Sequence, residues 1–255
     1  MIHIKSEKDI DRIRESCRLV VDTFNMIDEI IAEGMTTYEL DWHIERYIKK
    51  LGGLAAFKGY KVDKAVFPAS SCISVENEVV HGIPGKRKLR DGEIVSVDVG
   101  IKYNGFFGDA AKTYAIGEIS AEKKALMRAT LQSLYKGIDQ AVAGNRLQNI
   151  SHAIQKHVEK EGYSVVRDLV GHGIGRKLHE DPQVPNYGKP NRGPRLRTGM
   201  VLAIEPMVNM GTRQVDTDKD QWTIRTKDGK PSAHFEHAVV VREGEAEILT
   251  YGLFD

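Results

Sequence analysis

Only two cysteines occur in 255 residues, Cys17 and Cys72, too few for a disulfide framework or a thiolate zinc site. Any metal held by this chain must therefore use histidines and carboxylates. No apolar run approaches the ~20 residues that span a bilayer, and the opening MIHIKSEKDIDRIRES is too charged for a signal peptide. Hence the chain is expected in the cytoplasm, with no membrane partner. A net charge of +1 lacks the basic surplus of a dedicated nucleic-acid binder. Also missing are a Gly-Lys-Ser/Thr phosphate loop and a dinucleotide fingerprint opening a helix. What is present, 41% hydrophobic and 29% charged residues, describes an ordinary globular chain long enough to bury a sizeable core.

The most informative stretch is Leu89 to Asp109, LRDGEIVSVDVGIKYNGFFGD. Ile94, Val95, Val97 and Val99 predict a buried strand, and Asn104-Gly105 suits a type I′ hairpin turn that returns the chain to Asp109. Asp98 and Asp109 then sit where an ionised carboxylate is costly unless something positive binds it. A near-copy of the motif follows: Leu89 to Asp98 aligns without gaps on Leu196-Arg-Thr-Gly-Met-Val-Leu-Ala-Ile-Glu205, and the acid falls at the same step. This suggests one domain over 1–255 built from two pseudo-symmetric halves, each delivering an acid to a shared centre.

Helical spacing places an apolar stripe through Ile10, Ile13, Cys17, Val20, Phe24, Ile27 and Ile31, capped by Ser6, with a capping box at Thr36 opening a second helix. Ser120 starts a third helix to about Val142, and Asn145 caps a fourth through Glu161. His152 and His157 on that fourth helix lack the spacing of a zinc-binding His pair and read as surface or packing residues. The stretch from Val66 to Val80 is strand-like and leads to His81 in a loop, just ahead of the first acid-bearing strand. A short strand near Tyr163 to Leu169 precedes Gly171-His172-Gly173-Ile174-Gly175, which reads as a loop whose glycines let the backbone approach a ligand and aim the imidazole inward. Glu205 and Glu236 complete the set, each expected on a strand. Asp98, Asp109, Glu205 and Glu236 balance two divalent cations, with His172 as a neutral fifth ligand; Co, Mn, Fe and Zn all suit such donors.

With those residues in view, the chain resembles the type I methionine aminopeptidases over nearly its whole length. The resemblance rests on the Asp98/Asp109 pair, the GHGIG segment with His179 seven residues on, Asn186-Tyr187, Glu205-Pro206 and Glu236-His237. It implies an α+β pita-bread fold, in which a pseudo-two-fold antiparallel sheet is covered by helices. It also implies dinuclear-metal hydrolysis of the first peptide bond, which removes the initiator methionine when the second residue is small. By resemblance Asp98 chelates one metal, Asp109 and Glu236 bridge both, and His172 with Glu205 holds the other. His81 and His179 are assigned to the substrate, with Glu205 as the proton carrier, and Phe67, Cys72, Leu178 and Trp222 as methionine-pocket walls. The implied partners are nascent N-termini; Lys219, Arg225, Lys227 and Lys230 could touch the ribosome, although a solvated loop is the simpler reading of that cluster, and a monomer is expected. Three positions depart from the usual pattern: the order Glu76-Asn77-Glu78, Leu169 ahead of the GHG, and Ala238 where Thr is common. A proline-specific relative is the rival of the same fold, but such enzymes usually carry a large N-terminal domain. A non-catalytic relative, expected to have lost ligands, is the rival of another class.

Overall fold

The computed structural model describes residues 1–254. Helix α1, Glu7–Ile30, opens on a capping box in which Ser6 and Asp9 each satisfy the other's backbone N–H. Thr36 and Glu39 do the same for α2, Thr37–Lys50. Both lie on one face of an antiparallel sheet formed by β1 (Cys72–Val75), β2 (Ile94–Tyr103) and β3 (Phe106–Ala115). The reason is the strand alternation: Val95, Val97, Val99 and Ile101 pack with Phe24, Ile27, Leu40 and Ile44 in one apolar cluster. The turn joining β2 to β3 forms as the sequence predicts, with Asn104 at φ 48° and Gly105 at φ 83°.

In the second half two further helices pack on strands. Helices α3 (Ala121–Ile138) and α4 (Leu147–Lys160) supply Leu126, Leu134, Ile150 and Ile154 to a cluster with Leu202, Ile204, Val208 and Val239. Those strand residues come from β6 (Val201–Ile204), β7 (Met207–Asn209) and β9 (His237–Val240), accompanied by β4 (Val170–Gly173), β5 (Glu180–Pro185) and β8 (Ser232–His234). The order β5-β4-β6-β9 is antiparallel throughout, and β7 pairs β8. Gly92 and Gly199, equivalent in the two copies of the LR-G motif, share φ values of 83° and 86°, and a strand begins two residues after each, β2 carrying Asp98 within it and β6 ending one residue before Glu205.

Several local expectations need correction. Helix α3 ends at Ile138, four residues early, and Asn145 does not cap α4: its Nδ2 donates to the Gln140 carbonyl at 3.0 Å. The first turn of α4 is satisfied by loop backbone, with Leu147 N–H on Pro194 O at 3.0 Å and Gln148 N–H on Arg192 O at 3.1 Å, so no side-chain cap is needed. The strand expected near 163–169 is only Ser164–Val165. Between 66 and 80 the chain forms two strands split by a turn, where Glu76 takes φ 59°. That turn accounts for the Glu76-Asn77-Glu78 order. Glu76 Oε1 accepts from Ile94 N–H at 2.9 Å and Lys123 Nζ at 2.6 Å, Glu78 Oε2 from Val75 N–H at 2.7 Å, and Asn77 Oδ1 from Arg225 at 3.2 Å.

Candidate metal centre

The two acids of the first half stand on one face of the hairpin. Asp98 pairs with Ala111 and Asp109 with Gly100, so the carboxylates are diagonal neighbours on the side opposite the helices, and Cys72, paired with Asp98, shares that side. The second half delivers its acids differently. Ile204 pairs with His237 and Met207 with His234, so Glu205-Pro206 and Phe235-Glu236 together interrupt one long ribbon at the same level. Contrary to expectation neither glutamate lies within a strand. Pro206 offers no N–H to the ladder, and the Glu236 N–H turns to the Ala111 carbonyl at 2.9 Å, joining the two halves.

His172 corrects a further expectation, since the GHG segment is strand β4 rather than a loop. Its glycines serve the sheet rather than a ligand. A Cβ on Gly171 would lie 2.4 Å from Ala203 O and one on Gly173 2.3 Å from Asp181 O, so only glycine lets the flanking strands close on both sides of the histidine. His172 Nδ1 donates to the Gly173 carbonyl at 2.9 Å, which fixes the tautomer and leaves the Nε2 lone pair toward the acids. Nε2 lies 3.6 Å from Glu205 Oε1 and 3.9 Å from Asp109 Oδ2.

Donor atoms of Asp109, His172 and Glu236 all fall within 4.8 Å of one another, flanked by Asp98 and Glu205. Burial, and then mutual repulsion, raises the carboxyls of Asp98, Glu205 and Glu236 well above the ordinary range; burial pushes Asp109 up to about 7. Asp98 Oδ1, Asp109 Oδ1 and Glu236 Oε1 are buried without any hydrogen-bond partner. Such orphaned, like-charged oxygens around a neutral imidazole fit divalent cations as a donor set.

All five residues line a cavity of about 1060 Å³, together with Phe67, Cys72, His81, Leu178, His179 and Trp222. Phe67 and Trp222 meet edge to face at 5.3 Å between centroids, closing an apolar end. Burial and the Asp98 charge hold the Cys72 thiol protonated, so it acts as an apolar wall. His81 takes φ 58°, a left-handed conformation unusual for this residue, and burial depresses its pKa to about 4. Burial likewise lowers His179, whose ring lies 4.4 Å from that of His172. Leu169 lines the cavity; Ala238 pairs with Ala203 in the ladder, and the Thr250 hydroxyl accepts its N–H at 3.3 Å. His152 lines a separate surface groove along α4, and neither it nor His157 reaches the acid-lined cavity.

Two residues escaped the sequence reading. Tyr60 Oη is 2.6 Å from His179 Nδ1, and nothing local in Lys58-Gly59-Tyr60 signals it. His234 is buried beside Glu205, and here a signal existed: it lies two residues before Glu236, on the same side of an extended chain.

Comparison with known proteins follows the same lines. The model of metallopeptidase family M24 matches residues 11–243. Methionine aminopeptidase 1 of Bacillus subtilis (strain 168) is 53% identical over 250 residues, spanning 98% of this chain and 99% of the relative. The methionine aminopeptidase of Clostridium perfringens is 52% identical over 98% of this chain and 99% of its own length. Among solved structures, methionine aminopeptidase from Thermotoga maritima superposes with a TM-score of 0.94 at 45% identity, over 98% of this chain and 99% of that one. Prolidase from Pyrococcus furiosus reaches 0.78 at 21% identity, over 97% of this chain and 65% of its own, a likeness of fold alone.

Proposed function

This chain belongs to metallopeptidase family M24 and has the pita-bread fold, and from that premise we propose that it removes the N-terminal methionine of peptides and nascent proteins whose second residue is small. The observation that carries the reading is the set of orphaned buried carboxylate oxygens facing His172 at one end of a cavity whose other end is apolar. Asp98, Asp109, His172, Glu205 and Glu236 would together hold up to two divalent cations. Cations bound there would supply Lewis acidity and lower the pKa of a water from 15.7 toward ~7.

The chain's own residues do the rest. A free α-amine can enter only as the end of a chain, and the closed apolar end between Phe67, Cys72, Leu178 and Trp222 takes one unbranched thioether side chain, which sets the scissile bond one residue in. Tyr60 engages His179 Nδ1 and leaves Nε2 to donate a hydrogen bond to the carbonyl oxygen as negative charge develops on it. His81, held by strained backbone, contacts the departing amide nitrogen, and Glu205 takes the proton released by the attacking water and returns it to that nitrogen. We also read the matched LR-G motifs and helix pairs as two pseudo-symmetric halves of one catalytic domain.

Among the described residues no helix is long and apolar enough to cross a membrane. We take the protein to act on emerging chains as a cytoplasmic monomer. Of the loop cations that could approach a ribosome, Arg225 is paired with Asp218 at 2.5 Å and Glu78 at 2.8 Å, and Lys227 with Asp216 at 3.2 Å. The deciding experiment is metal analysis of protein purified without added metal, combined with assays on Met-Ala-Ser and on Xaa-Pro peptides. Cleavage of Met-Ala-Ser with up to two bound cations is expected; cleavage of Xaa-Pro peptides alone would replace this reading by that of a proline peptidase.

A further inference from the structure

One buried polar group outside the eleven residues assigned above faces the acids without a partner. His234 ends β8 and is 1% exposed. Its backbone is clamped by Thr113, whose hydroxyl donates to the His234 carbonyl at 2.8 Å and accepts from its N–H at 2.9 Å. Thr113 is itself tied to Ser96 at 2.8 Å, so the hairpin of the first half fixes this residue of the second. Yet His234 Nε2 has no hydrogen-bond partner, although it lies 3.7 Å from Glu205 Oε2. The other oxygen of the same carboxylate, Oε1, faces His172 Nε2 at 3.6 Å, and the Glu205 backbone carbonyl accepts from Asn186 Nδ2 at 3.0 Å. Glu205 is thus bracketed by two imidazoles, one at each oxygen.

We propose that His234 is a positioning residue for Glu205: its Nε2–H donates to Oε2, leaving Oε1 to the cation shared with His172. The inference rests on the metal-binding reading of Glu205. A ligating carboxylate is oriented by the hydrogen bond at its free oxygen, and closing the gap from 3.7 Å to the ~2.9 Å of an N–H···O bond takes less than the length of a covalent bond. Since Thr113 pins the His234 backbone, the movement falls to the Glu205 side chain.

The test is titration of the full-length, metal-stripped protein with Mn²⁺ by calorimetry, and with Co²⁺ by visible absorption, for His234→Leu and His234→Gln. Leucine removes the donor, whereas glutamine presents an amide N–H at similar reach. His234→Leu should weaken the cation about 10–100-fold and change the Co²⁺ spectrum, and His234→Gln should remain near wild type in both. Should the leucine variant fail to melt cooperatively without metal, His234→Met serves as the apolar variant. Unchanged Mn²⁺ affinity in the apolar variant overturns the proposal, and so does a glutamine variant as weak as leucine, which would mean that the ring acts as a ligand or by packing. Glu205→Gln in the same titration keeps the two readings apart. If it binds as wild type does, the metal role of Glu205 fails; if it is weakened while the apolar His234 variant is not, only the role of His234 fails.

Discussion

The two halves of the molecule each bring two acids to the centre, by opposite local means. In the β2–β3 hairpin the ladder runs unbroken from the Ile94↔Ala115 pair to Tyr103↔Phe106, and Asp98 and Asp109 project from its interior. In the ribbon that pairs β6 with β9 and β7 with β8 the ladder is broken, and Glu205 and Glu236 stand at the break. A regular strand aims side chains at a fixed spacing, so a short aspartate suffices. At a break the backbone turns aside, and the longer glutamate reaches back across it. One centre can therefore be assembled from a regular and an irregular element, provided that side-chain length offsets the difference.

The comparison is sharpened first by removing one acid from each side. Asp98→Ala and Glu236→Ala should both drive Met-Ala-Ser turnover below detection and lower bound metal, measured by kinetics alongside elemental analysis. Full activity in either would mean that its half contributes no ligand. The next largest effect separates the two neighbouring histidines. His179→Ala should lower kcat by on the order of 10²-fold with metal retained. By contrast, His172→Ala should lose a cation and recover rate as Mn²⁺ or Co²⁺ is raised. If excess metal rescues His179→Ala and not His172→Ala, the two roles are exchanged.

Glycine substitutions probe the scaffolds themselves. Gly171→Ala drives a methyl group into the Ala203 carbonyl and should cost about 1–3 kcal/mol in denaturant unfolding. A Cβ on Gly105 in the hairpin turn meets nothing within 4 Å, so Gly105→Ala should cost only the ~1 kcal/mol of a left-handed alanine. Equal losses would show that the closeness of strands around His172 is not what glycine serves.

The smallest effect is one of pH. The buried histidines, with depressed pKa values of about 4 for His81 and about 3 for His172, are neutral in the fold at pH 6.5 but still half protonated when unfolded, so they add a small gain in stability as pH rises that is complete by about pH 7.5. Asp109, raised to about 7, is still protonated in the folded metal-free protein at pH 6.5, but already ionised when unfolded. A carboxyl whose folded pKa is raised loses its stabilising contribution as pH climbs through that value. Asp98, Glu205 and Glu236 are raised well above the ordinary range as well, and the combined loss outweighs the histidine gain, so the metal-free melting temperature should fall by roughly a few degrees between pH 6.5 and 9, while the Mn²⁺-loaded protein changes less. A flat metal-free profile would mean that the acids are not crowded as described.

Much of this was legible in the chain because it rests on local rules. The Ser6 cap, the capping box at Thr36 and the Asn104-Gly105 turn depend on residues within a few positions of each other, and they form as read. The failures share a cause. Asn145 loses its cap role because the loop at 192–194 meets α4 first, and the GHG segment becomes a strand because β5 and β6 flank it; both depend on segments beyond the reach of a local rule.

By itself the sequence determined the donor chemistry: four carboxylates and an imidazole in place of thiolates, a net charge of +1, and alternation that puts both aspartates on one face of a hairpin. Tertiary structure alone decided which atoms meet. The ribbon breaks where Pro206 withholds an N–H and Glu236 bonds across to Ala111, and Tyr60 gains its place beside His179 only once the two halves close. The physical reason is that strand periodicity fixes the side to which a side chain points, whereas the opposing surface is chosen by long-range packing, which leaves no local mark in the order of residues.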